Sequence, residues 1–495
     1  MAVRGREDFR MKRVATWLAG LIFSLSLIAL AQSPGPDVQQ YIKVSDSTFA
    51  LTHVRVIDGT GAPAREDQVV VVANGKIQFI QPASSALPKD LKAYDYTGHT
   101  VFPGIVGMHN HFYYSAAIEE QAGATGKIAP PGFAVAEIPF TAPRLYLAAG
   151  VTTMRTTGSI EPYTDLRVKR MVDANQMPGP KIDISAPYLE GAGTFIAQLH
   201  ELRGPDDARK FVAYWADAGA TSYKAYMFIT RDELKAAIEE AHARKQKLTG
   251  HLCSVTWREA MQLGIDNFEH GPVFTDTEFV TDKQPDKCPS DSGPASWATK
   301  EISSPEVQDL IHELVSRKVA VTSTLPVFEA SIPGRPKLQQ RVLDAMSPNA
   351  RASYLARRAR ISPTSTAGAS MKKEMDFEFA FVKAGGLLLA GPDPTGNGGV
   401  LPGFGDQRQI ELLVEAGFTS IQAIQIATQN GAKFLGRDDT VGTLAVDKQA
   451  DIVLVKGDPS KNIADIENVD TVFKDGVGFD SQKLIEAVRG QVGVR

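Results

Sequence analysis

The sequence is poor in cysteine and carries no strong excess of either charge. Its 495 residues include two cysteines, so at most one disulfide can form within the chain, and a cysteine-rich structural zinc site is excluded. The formal net charge of −4 lacks the basic excess that is typical of nucleic-acid-binding proteins. The sequence has no internal repeat and no low-complexity tract. The chain is long enough to bury a large core and to hold more than one domain.

The two cysteines, Cys253 and Cys288, leave one question open. Export would permit a disulfide between them, but the sequence alone does not show whether they approach each other. Cys253 lies two residues after His251, so on a strand both side chains face the same way. We favour the interpretation of Cys253 as a small buried residue, because free cysteine is among the most buried residue types.

The N-terminus has the pattern of a secretory signal peptide, which we assign to residues 1–31. A basic stretch precedes the apolar run Val14 to Ala31, which ends in the small-x-small site Ala29-Leu30-Ala31. We expect cleavage after Ala31 and an exported protein, periplasmic or secreted, with no stable membrane association afterwards. The alternative is an uncleaved anchor, because about 18 apolar residues can just span a bilayer. Met11 is an alternative start.

Two histidines, His109 and His111, follow the apolar run Val101 to Val106. At the spacing i, i+2 on a strand they project from one face, so both imidazoles can point at one atom. Imidazole is a common ligand for zinc and similar ions. Taken alone, the pair favours two polar residues after a buried strand. The rest of the chain reverses this preference.

Four further side chains each follow a short strand-like segment, namely Lys224, His251, His270 and Asp393. Helical patterns separate these segments, and that alternation is the signature of parallel βα units. In a (β/α)8 barrel the catalytic residues come from the C-terminal ends of several strands. Together with the two histidines of the first motif, these residues indicate a two-metal site.

Single members of this set also have ordinary interpretations. Lys224 alone would be a surface lysine, and Asp393, which precedes Pro394, would be a turn residue. His251 would be a core histidine with a satisfied hydrogen bond. Glu269 stays open between a partner that orients a histidine and a solvated charge.

Further motifs accompany these residues in a fixed order along the chain. They are Pro103-Gly104, Gly150-Val151-Thr152-Thr153-Met154-Arg155, Glu269-His270-Gly271, Ala390-Gly391-Pro392-Asp393, the stretch Ala427 to Gly436, Gly442-Thr443-Leu444, and the stretch Ala450 to Leu454. The ordered set resembles the amidohydrolase superfamily of metal-dependent hydrolases, in the branch that contains imidazolonepropionases and Xaa-Pro dipeptidases. Each motif is weak alone, whereas the order from about Ala50 to Gly476 is specific.

The resemblance implies an α/β fold, with a TIM-like (β/α)8 barrel over residues 101–435. It also implies a small β-sandwich formed by residues 32–100 together with residues 436–495. Strand patterns at both ends agree with this, at Phe49 to Val56, Gln68 to Ala73, Lys76 to Ile80, Ala450 to Lys456 and Asp470 to Lys474. Asn74-Gly75 predicts a hairpin. Barrel helices are predicted at Pro305 to Arg317, Lys372 to Ala384 and Ser420 to Leu435.

The resemblance further implies the metal ligands. One ion would be bound by His109, His111 and Asp393, and a second by His251 and His270. We expect two divalent ions, with zinc as the first choice because the ligands are imidazole, carboxylate and a carbamate.

Lys224 would bridge the two ions after carboxylation by CO2. An ammonium has no acceptor and cannot bind a cation, whereas the carbamate offers one oxygen to each metal. Burial lowers the pKa of a lysine, which makes the reactive neutral amine available. Hydroxide formed from water between the metals would attack a carbonyl. Asp393 would accept the proton and pass it to the leaving nitrogen.

The sequence departs from the family pattern at four places. Gly107 stands where an acidic residue is usual, and Arg155-Thr156-Thr157 replaces an Arg-Asp pair. Cys253 stands where prolidase-like members place a tyrosine that holds the substrate carboxylate. Glu190-Gly191-Ala192-Gly193 lacks the histidine expected after the third strand. These departures keep the metal ligands but put a dipeptide substrate in doubt. Predicted substrate contacts, all on predicted loops at the mouth, are Tyr113, Tyr114, Tyr226 and Arg408.

These inferences predict an exported metal-dependent hydrolase that cleaves a C–N bond in a small amide, a peptide or a cyclic amide. The alternative enzyme is a lactonase or an organophosphate-type esterase, because the same metal centre attacks those bonds. A non-catalytic binding protein on a degenerate barrel is a third hypothesis, which the retention of all six metal-site residues disfavours. By analogy with the family, a homo-oligomer is possible.

Overall fold

The structure, a computed structural model, describes residues 33–117, 133–290 and 292–493. The predicted signal peptide lies outside the described residues. Residues from Pro34 onward cluster into one compact unit. Within the described ranges, none of the helices has the length and apolar character needed to span a bilayer.

The described strands alternate with helices over much of the chain. The strands are β1 (Ile42–Val44), β2 (Thr48–Val56), β3 (Arg65–Ala73), β4 (Lys76–Pro82), β5 (Lys92–Asp95), β6 (His99–Pro103), β7 (Ile105–Asn110), β8 (Tyr113–Ala117), β9 (Phe133–Glu137), β10 (Val151–Thr156), β11 (Lys181–Asp183), β12 (Ser222–Ala225), β13 (Lys247–Gly250), β14 (Asn267–Glu269), β15 (Ala320–Ser323), β16 (Leu388–Ala390), β17 (Ile452–Lys456), β18 (Val469–Lys474) and β19 (Val477–Asp480). The helices are α1 (Pro36–Gln39), α2 (Thr141–Ala148), α3 (Pro162–Asp173), α4 (Pro205–Ala218), α5 (Arg231–Ala243), α6 (Trp257–Leu263), α7 (Pro272–Thr275), α8 (Pro294–Trp297), α9 (Pro305–Arg317), α10 (Leu325–Glu329), α11 (Gln340–Ala345), α12 (Pro348–Ala359), α13 (Ala367–Lys383), α14 (Phe404–Glu415), α15 (Ser420–Gln425), α16 (Gly431–Leu435) and α17 (Ser481–Glu486).

Strands from both ends of the chain form one nine-stranded sheet. Its order is β1-β19-β18-β17-β6-β2-β3-β4, and β5 pairs with β2. Phe49 of the N-terminal part stacks on Phe473 of the C-terminal part, with ring centroids 5.4 Å apart. The predicted hairpin is present, because Asn74 and Gly75 between β3 and β4 both have positive φ, 50° and 77°. Apolar contacts therefore join the two ends of the chain in one core.

Two parallel sheets carry the predicted site residues. One has the order β11-β10-β7 and the other the order β12-β13-β14-β15-β16. Isolated parallel bridges pair Ser185 with Ser222 and Leu189 with Ala225, which join the segment after β11 to β12. At the opposite edge the Asp393 N–H donates to the His109 carbonyl at 3.1 Å. The parallel strands with intervening helices confirm the α/β class, and they surround the site in chain order.

Local signals fix the elements on either side of Lys224. Helix α4 has proline in its first turn and ends at Gly219, whose φ of 113° gives a left-handed C-cap. Helix α5 begins with a capping box in which Thr230 and Glu233 satisfy each other's backbone N–H groups. These stop and start signals leave β12 as a short buried strand between two helices.

The apolar run before the first histidines is two strands rather than one. β6 ends at Pro103 in the nine-stranded sheet, and β7 begins at Ile105 in the parallel sheet. Gly104 lies between them, and its N–H donates to the Asp451 carbonyl at 2.9 Å. A Cβ at Gly104 would lie 1.9 Å from Oγ1 of Thr152. The chain therefore passes from one sheet to the other at a position where only glycine fits.

The predicted helices are present, with two adjustments. α9 has the predicted bounds, whereas α13 begins at Ala367, five residues before the predicted start. The helix predicted at Ser420 to Leu435 contains a π-helical segment, Ile426–Asn430, between α15 and α16. In this segment the Thr428 hydroxyl donates to the Ile424 carbonyl at 2.7 Å.

Candidate metal centre

The predicted metal ligands converge at the C-terminal ends of the parallel strands. Ligand atoms of His109, His270 and Asp393 all lie within 4.8 Å of one another. His111 Nε2 lies 3.2 Å from Asp393 Oδ1. The His251 ring centroid lies 4.5 Å from that of His270. The structure therefore brings together His109 of β7 and residues from the segments after β7, β13, β14 and β16.

Lys224 of β12 lies at the same centre. Its Nζ is 3.2 Å from His109 Nε2, and the residue is 2 % exposed. The ammonium nitrogen also faces the rings of Tyr188 and Tyr226, at 5.1 and 5.8 Å from their centroids. Burial lowers the pKa of Lys224 to about 8. The interpretation of Lys224 as a solvated surface lysine is wrong.

The charges at the centre suit cation binding. Burial lowers the pKa of His111 to about 4 and that of His251 to about 3, so these rings are neutral near pH 7. A neutral imidazole offers the lone pair that a metal needs. Burial alone would raise the pKa of Asp393, but the neighbouring histidines, His109 first, hold it well below its usual range. The site therefore combines neutral nitrogen donors with an ionised carboxylate.

Two of the converging residues have left-handed backbone conformations. The φ angles of His270 and Asp393 are 74° and 54°. Residues with a side chain rarely adopt this region, and where they do at a functional site the surrounding structure holds them there. The unusual backbone turns both side chains toward the centre at the points where β14 and β16 end.

Glu269 orients one of the predicted ligands. Its Oε2 accepts from His109 Nδ1 at 2.9 Å, and its Oε1 accepts from Arg155. Glu269 is fully buried, so the alternative of a solvated charge is wrong. Burial would raise the pKa of Glu269, whereas the charges of Arg155 and His109 lower it well below its usual range. With Nδ1 held by the carboxylate, Nε2 of His109 faces the other ligands.

Asp406 of α14 is a supporting residue that the sequence prediction missed. Its Oδ1 accepts from Asn110 Nδ2 at 3.1 Å, and its Oδ2 accepts from the Gly403 N–H at 2.9 Å. A Cβ at Gly107 would lie 2.9 Å from Asp406 Oδ1. A carboxylate from a distant helix therefore reaches the region of Gly107, where the family pattern has an acidic residue.

A cavity of about 510 Å³ opens beside Asp393. The predicted contacts Tyr113, Tyr114 and Tyr226 line it, as does Tyr188, which the sequence prediction missed. The hydroxyl groups of Tyr113 and Tyr188 lie 2.7 Å apart. Tyr113 and Tyr114 are on strand β8 rather than on a loop. The metal centre therefore faces an aromatic cavity of the size that binds small organic ligands.

Arg408 does not line this cavity. It lies on α14 in a neighbouring cavity of about 560 Å³, where its guanidinium donates to Glu329 and Glu411. We predicted Arg408 as a loop residue at the mouth, whereas the helix directs its side chain to these two carboxylates.

The structure pairs Cys253 with Cys288 in a disulfide. The sequence left this pairing open, and the prediction that Cys253 is a small buried residue is confirmed. Cys288 belongs to the polar stretch between α7 and α8. The disulfide attaches this stretch to the chain two residues after His251.

The residues at the centre fit a metal site. Both ring nitrogens of His111 are buried and make no hydrogen bond within the described part of the chain. Buried polar atoms normally have partners, and an ion bound at Nε2, which lies 3.2 Å from Asp393 Oδ1, would supply one to that nitrogen. Imidazole and carboxylate donors suit zinc and similar divalent ions.

Comparison with known proteins agrees with this geometry. The sequence model of the amidohydrolase family matches residues 100–276 and 385–478, which is more than half of the chain. No curated protein matches the sequence significantly.

Solved structures share the fold at low sequence identity. They include bottromycin amidohydrolase (20 % identity, TM-score 0.66, covering 93 % of this chain and 95 % of that chain). A Xaa-Pro dipeptidase with bound methionine in the active site has 19 % identity and a TM-score of 0.63, covering 88 % of this chain and 100 % of that chain. Molinate hydrolase has 16 % identity and a TM-score of 0.62, covering 91 % of this chain and 100 % of that chain.

Proposed function

The chain belongs to the amidohydrolase family and is a hydrolase of carbon–nitrogen bonds, and from this premise we propose that it is an exported enzyme with two divalent metal ions. Its substrate is a small amide, a dipeptide or a cyclic amide. The observation that carries the proposal is the convergence of four histidines, Lys224 and Asp393 on one buried centre beside an aromatic cavity.

The fold proposed for this function is a (β/α)8 barrel with a β-sandwich. The barrel consists of the parallel strands β7 and β10 to β16, and the sandwich of the nine-stranded sheet. The hydrogen bond from Asp393 N–H to the His109 carbonyl supports closure between the last and first strands. The pairing of β6 with β17 supports a shared terminal domain.

The ligands are proposed as the motif implies. His109, His111 and Asp393 would hold one ion, and His251 and His270 the other, with Lys224 as a carboxylated bridge. Zinc is the first choice because of the donor set. The ions, when bound, supply Lewis acidity toward a carbonyl oxygen and lower the pKa of water.

The chain's own residues move the proton and position the substrate. Asp393 is ionised, lies 14 % exposed at the cavity wall, and can accept a proton from water on one carboxylate oxygen and pass it to the leaving nitrogen. Glu269 keeps the Nδ1 side of His109 occupied. The tyrosines around the cavity exclude bulk water and contact the apolar part of the substrate.

Export is proposed from two features. The predicted signal peptide directs the chain out of the cytoplasm. The disulfide between Cys253 and Cys288 supports an oxidising compartment, because such bonds are rare in cytosolic proteins.

The test is hydrolysis of a panel of N-acyl amino acids, Xaa-Pro dipeptides, cyclic imides and lactones, with zinc and bicarbonate added. Lys224→Ala and Asp393→Asn variants should lose turnover by at least about 10³-fold. Lys210→Ala, an exposed lysine of α4, is the matched control and should keep it.

Elemental analysis completes this experiment. Two metal ions per chain in the wild type, and fewer in Lys224→Ala, are expected. Turnover of lactones alone would favour the esterase alternative, and a protein that binds no metal would overturn the proposal.

A further inference from the structure

Two arginines stand at the mouth of the aromatic cavity. Arg357 is in the last turn of α12, and Arg360 follows the helix directly. Both line the same cavity as Asp393, together with Ser353 and Tyr354 of the same helix. Positions 353, 357 and 360 are spaced i, i+4 and i+7, so they share one face of α12. This face is directed at the cavity.

Positively charged side chains predominate at this end of the cavity wall. Among the described residues that line it, Asp393 is the only carboxylate, and Asp393 is already engaged with the histidines. Arg357 has no carboxylate of the described residues within ion-pair distance. Partial desolvation and the neighbouring charge of Arg360 lower the pKa of Arg357. An anion bound beside Arg357 would offset this unfavourable charge.

In the neighbouring cavity the arginines form ion pairs with glutamates of the same chain. There Arg335 and Arg408 both donate to Glu329, and Arg335 also reaches Glu415. Those guanidinium groups have structural partners within the chain. Arg357 differs because its surroundings supply cavity space in place of a carboxylate.

The helix that carries Arg357 lies outside the part of the chain that matches the family. The family model covers residues 100–276 and 385–478, whereas α12 spans Pro348–Ala359. A side chain on such a segment can differ between family members without changing the metal centre. α12 therefore places side chains from outside the matched segments against the cavity.

We propose that the enzyme selects anionic substrates, and that Arg357, with Arg360 beside it, binds a carboxylate on the part of the substrate that is remote from the scissile amide. This inference rests on the proposed function. Guanidinium groups suit the task because they donate in a planar fork that matches a carboxylate. The tyrosines deeper in the cavity then contact the apolar or aromatic part of the same molecule.

Equilibrium binding of a matched pair of probes tests this inference. The anionic probe is 4-acetamidobenzoate, whose carboxylate lies across an aromatic ring from the amide, and the neutral probe is 4-acetamidobenzamide. Titration calorimetry with the mature metal-loaded protein should give at least about tenfold tighter binding of the anion. Arg357→Gln should weaken binding of the anion about tenfold and leave that of the neutral probe unchanged.

Arg351→Gln provides the matched control, because Arg351 is an exposed arginine of the same helix that does not line the cavity. It should bind both probes as the wild type does. Equal binding of the two probes, no binding of the anionic probe, or a charge preference that survives in Arg357→Gln would overturn the inference.

The outcomes separate this inference from the proposed function. If the anionic probe binds more tightly but no member of the substrate panel is turned over in a metal-dependent way, the anion site is supported and the proposed enzymatic function is contradicted. Turnover that has no preference for anionic amides would support the enzyme and overturn the anion site.

Discussion

Glu269 contacts both His109 and Arg155, and its replacement tests whether this carboxylate orients the metal-binding histidine. The carboxylate accepts from His109 and from Arg155, and it is fully buried. In Glu269→Gln the side chain keeps its size but loses its charge, so Arg155 keeps its hydrogen bonds to the Met108 carbonyl but is left as a buried cation without a charged partner. We expect metal affinity to fall about 10- to 100-fold, and the free energy of unfolding to fall by about 3–5 kcal/mol.

Competition with a chelator measures the metal affinity, and chemical denaturation measures the stability. Glu239→Gln is the control, because Glu239 pairs with Arg209 at the surface with half of its side chain exposed. Such pairs contribute about 0–1 kcal/mol, so this variant should resemble the wild type. An unchanged metal affinity in Glu269→Gln would show that Glu269 does not orient His109.

The residues that converge at the candidate metal centre could be predicted because each lies at or just beyond the end of a strand in a recognisable local motif. The spacing of His109 and His111 requires no knowledge of distant residues. Asp406 and Tyr188 could not be found in this way, because their roles depend on contacts with chain segments far away in sequence. Asp406 reaches Asn110 across 296 positions, and Tyr188 meets Tyr113 across 75.

The disulfide between Cys253 and Cys288 covalently links two segments of the chain and so constrains the helices and the strand between them. It closes a loop with a sequence separation of 35 that contains α6, β14 and α7. A loop of this length gives about 4 kcal/mol in the chain-entropy model. We expect the double variant Cys253→Ser/Cys288→Ser to melt at a lower temperature than the oxidised wild type.

Calorimetry with and without a reductant checks this expectation. The reductant should lower the melting temperature of the wild type. It should leave that of the double variant unchanged, because the variant has no disulfide to reduce, so the variant controls for other effects of the reductant. Equal melting temperatures of oxidised and reduced wild type would contradict a stabilising disulfide. Recovery of two free thiols from the non-reduced, unfolded wild type would contradict the bond itself.

Elements with a regular apolar pattern or a clear turn signal could be predicted closely. α9 and the hairpin at Asn74-Gly75 are examples. The break at Gly104 could not be predicted, because both sides of it are apolar and only packing against Thr152 separates the sheets. Helix α12 was also missed, since no motif marks it, and Arg408 was assigned to a loop although α14 extends over it.

At the scale of the whole molecule, buried carboxyl groups make stability depend on pH. Glu374 and Glu378 are buried on one face of α13, and burial raises the pKa of both, that of Glu378 to about 8. Between the pKa of the unfolded chain and this value, the folded state keeps a proton that the unfolded state has released. Stability therefore falls as the pH rises through this range.

Other groups act in different pH ranges. The histidines of the centre have lowered pKa values, which makes stability rise with pH, but only below about pH 6.5. Lys224, with its pKa lowered to about 8, makes stability rise only above that value. The decline due to the buried carboxyl groups should therefore be visible between about pH 6.5 and 8.

We expect the metal-free protein, prepared with a chelator, to lose stability from about pH 6.5 to 8, and Glu378→Gln to reduce that loss by about 1–2 kcal/mol. The amide oxygen can still accept from the Ser323 hydroxyl, which donates to Glu378 at 2.9 Å in the wild type, so the variant removes the titration and keeps an acceptor. Denaturant titrations at several pH values measure the slope, with the exposed Glu301→Gln as control. If the unfolding free energy of Glu378→Gln falls with pH as steeply as that of the wild type, the decline belongs to other buried acids. If the stability of the wild type instead rises across this range, the carboxyl groups of α13 are ionised in the folded protein.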